Sequence, residues 1–145
     1  MKNKFKILII IFFLINNISF ANEFIFKTQN LEIIDNGRLI SAGKGKAISK
    51  DNDLEINADR FEYDDDLKIL KTFGNGYLRI NSKNLEASFD DSIIDRKNFN
   101  IQADGNVKIF DEKNKITLET ENIIYNQEEN IIKSDIESRI KDENK

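Results

Sequence analysis

From residue 24 onward the chain alternates apolar and polar side chains with a period of two, and the alternation returns four times in phase. Segments beginning at Phe24, Leu54, Leu85 and Ile116 lie over one another at offsets of 30, 31 and 31 residues. A period of two puts alternate side chains on one face of an extended strand, so a chain written this way is committed to sheet with one buried face. Ile101, Ala103, Gly105, Val107 and Ile109 alternate with Gln102, Asp104, Asn106 and Lys108, and Ile132, Ser134, Ile136, Ser138 and Ile140 repeat the pattern. In each unit an apolar residue before a polar turn (Ile33, Tyr63, Ile94, Tyr125) is answered seven positions later by another (Ile40, Leu70, Ile101, Ile132).

Each leading half slips once by three positions instead of two: Thr28 to Leu31, Ala58 to Phe61, Phe89 to Ser92 and Thr120 to Ile123. An extra residue at one level of every leading strand predicts a row of bulges or corners, and such a row folds the sheet over on itself. The connectors are short and polar. Asp35-Asn36-Gly37, Asp64-Asp65-Asp66 and Asp95-Arg96-Lys97-Asn98 have hairpin chemistry, the Asn-Gly pair most clearly. The expectation is an all-β antiparallel meander of about eight long strands, built as four hairpin repeats of about 31 residues. A parallel β-solenoid, with the units stacked as coils of an exported structural or adhesive protein, is the rival reading, and hairpin turns speak against it.

The sequence contains no His, Cys, Pro or Trp. That removes imidazole bases, thiolate nucleophiles, thiolate or imidazole metal sites and disulfides. Residues 1–21 read as a cleaved export signal: Lys2, Lys4 and Lys6, then the apolar run Ile7 to Ile15, then Ser19-Phe20-Ala21. The apolar run is short for a bilayer span, which makes an uncleaved anchor the weaker reading. The single domain is then expected over 22–145. Its net charge goes from −4 to −7, because the first 21 residues hold three lysines and no acid. An acidic chain without a basic run is not expected to bind nucleic acid.

Asp51, Asp53 and Glu55, and the triplet Asp64-Asp65-Asp66, have oxygen ligands for calcium but no EF-hand spacing, so solvated turns are the preferred reading. Gly43-Lys44-Gly45 and Gly74-Asn75-Gly76 lack a following helix and read as bulges or close backbone approaches. Asp90 and Asp91, adjacent on a strand, point to opposite faces and make a poor acid–base pair. No nucleophile, base and oxyanion set can be assembled, so no catalytic residue, metal or cofactor is assigned and the chain is not expected to be an enzyme. The inward row runs through Ile56, Ala58, Phe61, Tyr63, Leu70, Phe89, Ile101, Val107, Ile109, Leu118, Ile123, Tyr125 and Ile132. These residues suit a plain sandwich core. They equally suit a groove for hydrocarbon, and Ala58, Ala103, Gly105, Ser134 and Ser138 are small for a packed core.

The unit LEINADRFEYDDDLKILKTFGNG and the stretch IQADGNVKIF resemble the organic-solvent-tolerance-like (OstA-like) repeats of lipopolysaccharide transport. That family comprises the periplasmic bridge protein and the N-terminal domain of the outer-membrane assembly protein. The resemblance runs from Phe24 to about Ile140. Gly105-Asn106-Val107 matches its motif, Gly74-Asn75-Gly76 replaces Val by Gly, and Ile136-Glu137-Ser138 departs from it. The resemblance implies a folded antiparallel β-jellyroll, or β-taco, in the periplasm. It also implies that the inward row shields the acyl chains of lipopolysaccharide, as part of a bridge to the outer membrane. Other jellyroll domains would join by edge-strand addition at Phe24, Phe26, Ile136 and Ile140, with inner- and outer-membrane transport components as partners. A separated N-terminal module of the assembly protein is the alternative within the family.

Overall fold

The structure is a computed structural model that describes residues 23–143; the signal-peptide reading of residues 1–21 lies outside the described residues. Twelve strands form one antiparallel sheet. They are β1 (Phe24–Thr28), β2 (Leu31–Ile34), β3 (Leu39–Ala42), β4 (Gly45–Ser49), β5 (Leu54–Ala58) and β6 (Arg60–Asp64), then β7 (Ile69–Ile80), β8 (Leu85–Asp95), β9 (Asn100–Asp111), β10 (Ile116–Asn126), β11 (Ile131–Lys133) and β12 (Arg139–Asp142). One half of the sheet is ordered β1-β4-β5-β7-β8-β9-β10, with β12 on β10; the other runs β2-β3-β6-β7-β8-β9-β10-β11. Read together, these are eight long strands in simple meander order, and β7 to β10 pass through both halves unbroken. Every pairing is antiparallel, which rules out the solenoid.

All the bends fall at one level. The register slips between Phe73 and Gly76, between Ser88 and Asp91, and between Thr120 and Asn122. The cause lies in the Gly-Asn pairs. Gly74 (φ 72°) and Asn75 (φ 49°), and again Gly105 (φ 78°) and Asn106 (φ 49°), are consecutive left-handed residues. Glycine takes that conformation at no steric cost and Asn tolerates it, so two in succession turn the strand without losing its pairing. A carboxylate of the preceding strand holds each pair on the solvent side. Asp59 accepts from the Asn75 amide, and Asp90 accepts from the Asn106 amide at 3.0 Å.

The hairpin turns reuse one device. In three of them an aspartate opens the turn and its Oδ1 accepts the N–H groups two and three residues on: Asp64 from Asp66 and Leu67, Asp95 from Lys97 and Asn98, Asp111 from Lys113 and Asn114. A left-handed residue closes each loop: Lys68, Phe99 and Lys115. The Asn98 amide, acting against partial burial, and the two N–H donors hold the Asp95 carboxyl below its ordinary value. Asp95→Ala is therefore expected to lower stability by about 1 kcal/mol in a urea melt at neutral pH. A carboxyl whose value is lowered by folding contributes above the ordinary carboxylate range and loses that contribution as pH falls through the lowered value. The difference between Asp95→Ala and the parent is thus expected to shrink in acid.

The last strand departs from its sequence pattern. Ile132, Ser134, Ile136, Ser138 and Ile140 predict continuous alternation, but the pairing stops after Lys133 and resumes at Arg139. Local hydroxyl bonds compete with the ladder there. Ser134 Oγ and Ser138 Oγ both donate to the Ile136 carbonyl, at 3.2 and 3.1 Å. Ile136 consequently lies outside any strand and is exposed.

Candidate functional site

The fold brings the inward row together as the space between the two halves of the bent sheet. Across one wall Phe26, Ala47, Ile56, Leu78, Ala87, Ile109 and Leu118 stand in register. Across the other the register runs Ile33, Ile40, Tyr63, Leu70, Ile94, Ile101, Tyr125 and Ile132. The residues that answer one another seven apart in the sequence are thus direct partners across each hairpin. Of the thirteen residues named from the sequence, eleven are buried, and Leu118 and Ile132 are partly buried against them.

The walls meet face to face. Phe24 of β1 stands edge-on to Tyr63 of β6, with ring centroids 5.6 Å apart, and Phe26 to Phe61 at 6.0 Å. Such pairs contribute roughly 0.5–1.5 kcal/mol each beyond the area they bury. Phe24 and Phe26, expected at an assembly edge, do lie on an edge strand, but their rings turn inward to these contacts. Phe89 lies over Gly76, where a Cβ would come within 2.1 Å of its ring. The glycine in place of the motif's Val thus makes room for an aromatic ring from the neighbouring strand.

Polar groups inside this space are few and paired. Thr72 and Ser92, both buried, share a hydrogen bond of 2.7 Å, and Thr120 and Ser134 share one of 2.9 Å. The two inward tyrosines send their hydroxyls out to the rim: Tyr63 donates to Asp65 at 3.0 Å and Tyr125 to Asn130 at 2.9 Å. Burial, reinforced at Tyr63 by the Asp65 carboxylate, pushes both phenols above their ordinary value, so they stay neutral donors at physiological pH. An apolar lining with internally satisfied hydroxyls is chemically suited to hydrocarbon and not to a charged headgroup.

The acidic candidates are placed elsewhere. Asp51 pairs with Arg96, Asp53 with Ser82 and Glu55 with Lys46, while Asp64 caps its turn and Asp65 pairs with Lys68. They act as turn caps and ion-pair partners. Two features were not visible in the sequence: the contact between Asp51 and Arg96, and the uncovered ends of the interior. At one end Leu31 and Ile33 of β2 face inward yet are exposed, Ile33 by 61%. At the other Ile140 of β12, in register with Leu118, is 70% exposed. Both outer edges, β1 with β2 and β11 with β12, have no strand beyond them among the described residues.

No protein-family model and no curated protein matches the chain. Among solved structures it is similar to LptH of Pseudomonas aeruginosa, described as the LptA-homologous periplasmic component of the conserved lipopolysaccharide transport device. That likeness has a TM-score of 0.64 and 14% sequence identity, over 79% of this chain and 90% of the other. The likeness is one of fold, which in this chain is a long-stranded antiparallel sheet bent once across its middle. In fold, this chain is an LptA-like β-jellyroll.

Proposed function

We propose that the chain is a periplasmic lipopolysaccharide-transport module, one element of a bridge towards the outer membrane, and that its apolar interior shields acyl chains while sugars and phosphates stay in solvent. The observation that carries this is an apolar interior that runs the width of the sheet and is uncovered at both ends. A plain core would cap its terminal rows; here Leu31 and Ile33 at one end and Ile140 at the other leave the apolar surface open to continue into a neighbour. The LptA-like fold supports the same reading. Neighbouring jellyroll domains join by strand addition at the two open edges, where no Pro blocks pairing. Each methylene taken from water gains about 0.8 kcal/mol, which is ample for tails of ordinary length.

The chain reports on its own interior, because it has no Trp and its three tyrosines are Tyr63 and Tyr125 inside and Tyr77 on the outward face. Acyl lipid brominated along its chain is expected to quench the tyrosine emission of the purified protein. The quenching should persist in Tyr77→Phe and fall sharply in Tyr63→Phe/Tyr125→Phe. Quenching confined to Tyr77 would place the lipid on the outer surface and contradict the proposal.

A further inference from the structure

The following inference rests on the interior being an acyl-chain conduit and concerns how it opens. The interior is full. The enclosed gap between the walls, lined by Leu78, Phe89, Ile101 and Ile123 among others, measures about 10 Å³. That is about the space a single water needs, so a hydrocarbon tail is admitted only if the walls part. The bend holds one side of the walls together; the turns at the strand ends form two lips on the other. One lip carries the turn after β4, at Asp51; the opposite lip carries the turn after β8, at Arg96.

Across this mouth Arg96 Nη2 donates to Asp51 Oδ2 at 3.0 Å, between residues 45 apart in the chain. The two partners are held unequally. Asp51 also accepts from Ser49 Oγ and from the N–H of Asp53, both on its own wall. The Arg96 side chain is only 15% exposed, and its Nε is buried with no hydrogen-bond partner. A guanidinium that is nearly buried, incompletely bonded and tied across the mouth by a charge-assisted bond regains water at its orphan N–H when it swings out. Breaking the contact therefore costs less than its charge alone suggests.

We propose that Arg96 and Asp51 form a catch that keeps the lips closed over the close-packed interior, and that acyl chains enter from the side when it releases. Removing the catch raises the population of the open state and so the rate of lipid uptake.

The chain has no cysteine, so Lys83→Cys and Glu128→Cys, on opposite lips and away from the catch, accept a pair of spin labels. Arg96→Gln is made in the labelled protein, with Arg96→Lys as the charge-retaining control, and purified lipopolysaccharide is the ligand. Arg96→Gln is expected to lengthen the distance between labels and raise the association rate about tenfold, as for an open fraction going from about 1% to about 10%. Arg96→Lys should stay near the parent in both. An unchanged distance and rate in a protein that binds lipid overturns the catch and leaves the conduit standing. Lips that part in Arg96→Gln without lipid uptake by either protein support the catch and overturn the conduit.

Discussion

Phe61→Ala is expected to lower the unfolding free energy by about 3–5 kcal/mol, the range for deleting a large buried aromatic. Phe61 is 0% exposed and its ring meets Phe26 from the opposite wall, so truncation removes area, leaves a cavity and uncouples the two halves of the sheet together. For a domain of this length the midpoint of thermal unfolding should fall by roughly 10–20 °C. Lys108→Ala on the outward face should move it by no more than a degree or two. The same burial governs harsher changes: Phe61→Asp would place an unpaired carboxylate in this space and unfold the chain before lipid binding could be asked about. A drop of only a few degrees for Phe61→Ala would mean that the walls are not held by these contacts.

The second large effect is expected at the bend. Gly105→Ala meets two costs at once, a left-handed backbone (φ 78°) and a Cβ placed 2.3 Å from Asp90 Oδ2 and 2.8 Å from Asp90 Cβ. Together these should destabilise by roughly 2–4 kcal/mol in a denaturant melt, since backbone strain of this kind alone costs on the order of 1 kcal/mol or more. The two costs separate in a double-mutant cycle. Asp90→Gly removes the clashing side chain, so Gly105→Ala in that background should cost only the backbone strain. Full additivity would show that Asp90 does not sit against the glycine, and the account of how the strand turns would fail with it.

Much of this architecture is legible in the residues because pairing in a meander is local. Ile94 and Ile101 flank a single turn, so their spacing of seven carries their contact directly; the three-residue steps at Phe89 and Thr120 mark the level of the bend, but the extra residue lies in the returning strands and not in the leading ones, with Gly74-Asn75 opposite Asp90 and Gly105-Asn106 opposite Glu121. What period and spacing do not carry is which side-chain volumes meet across the bend. The sequence leaves core and groove open; the structure shows a filled interior, because Phe24, Phe26 and Phe61 meet other rings across the walls and Phe89 fills the room over Gly76. The small residues at 105 and 138 were misleading for another reason: Gly105 serves the bend and Ser138 lies in the exposed break before β12. The contact of Arg96 with Asp51 escaped for the same geometric cause, since 45 residues and a fold of the sheet separate them. In the last strand the alternation places Ile132 and Ile140 on paired strand but does not extend to Ile136, where serine hydroxyls capture the backbone.

The central claim is that hydrocarbon passes between the walls, and crosslinking in cells that make lipopolysaccharide tests it most directly. A compact diazirine-bearing aliphatic residue would be placed in turn at Phe61, at Ile101 and at the outward Lys108, with export and thermal stability checked for each. Lipopolysaccharide adducts at 61 and 101 and none at 108 are the expected result. Adducts at 108 alone, or none at any position in a folded and exported protein, would contradict it and leave the interior as an ordinary core.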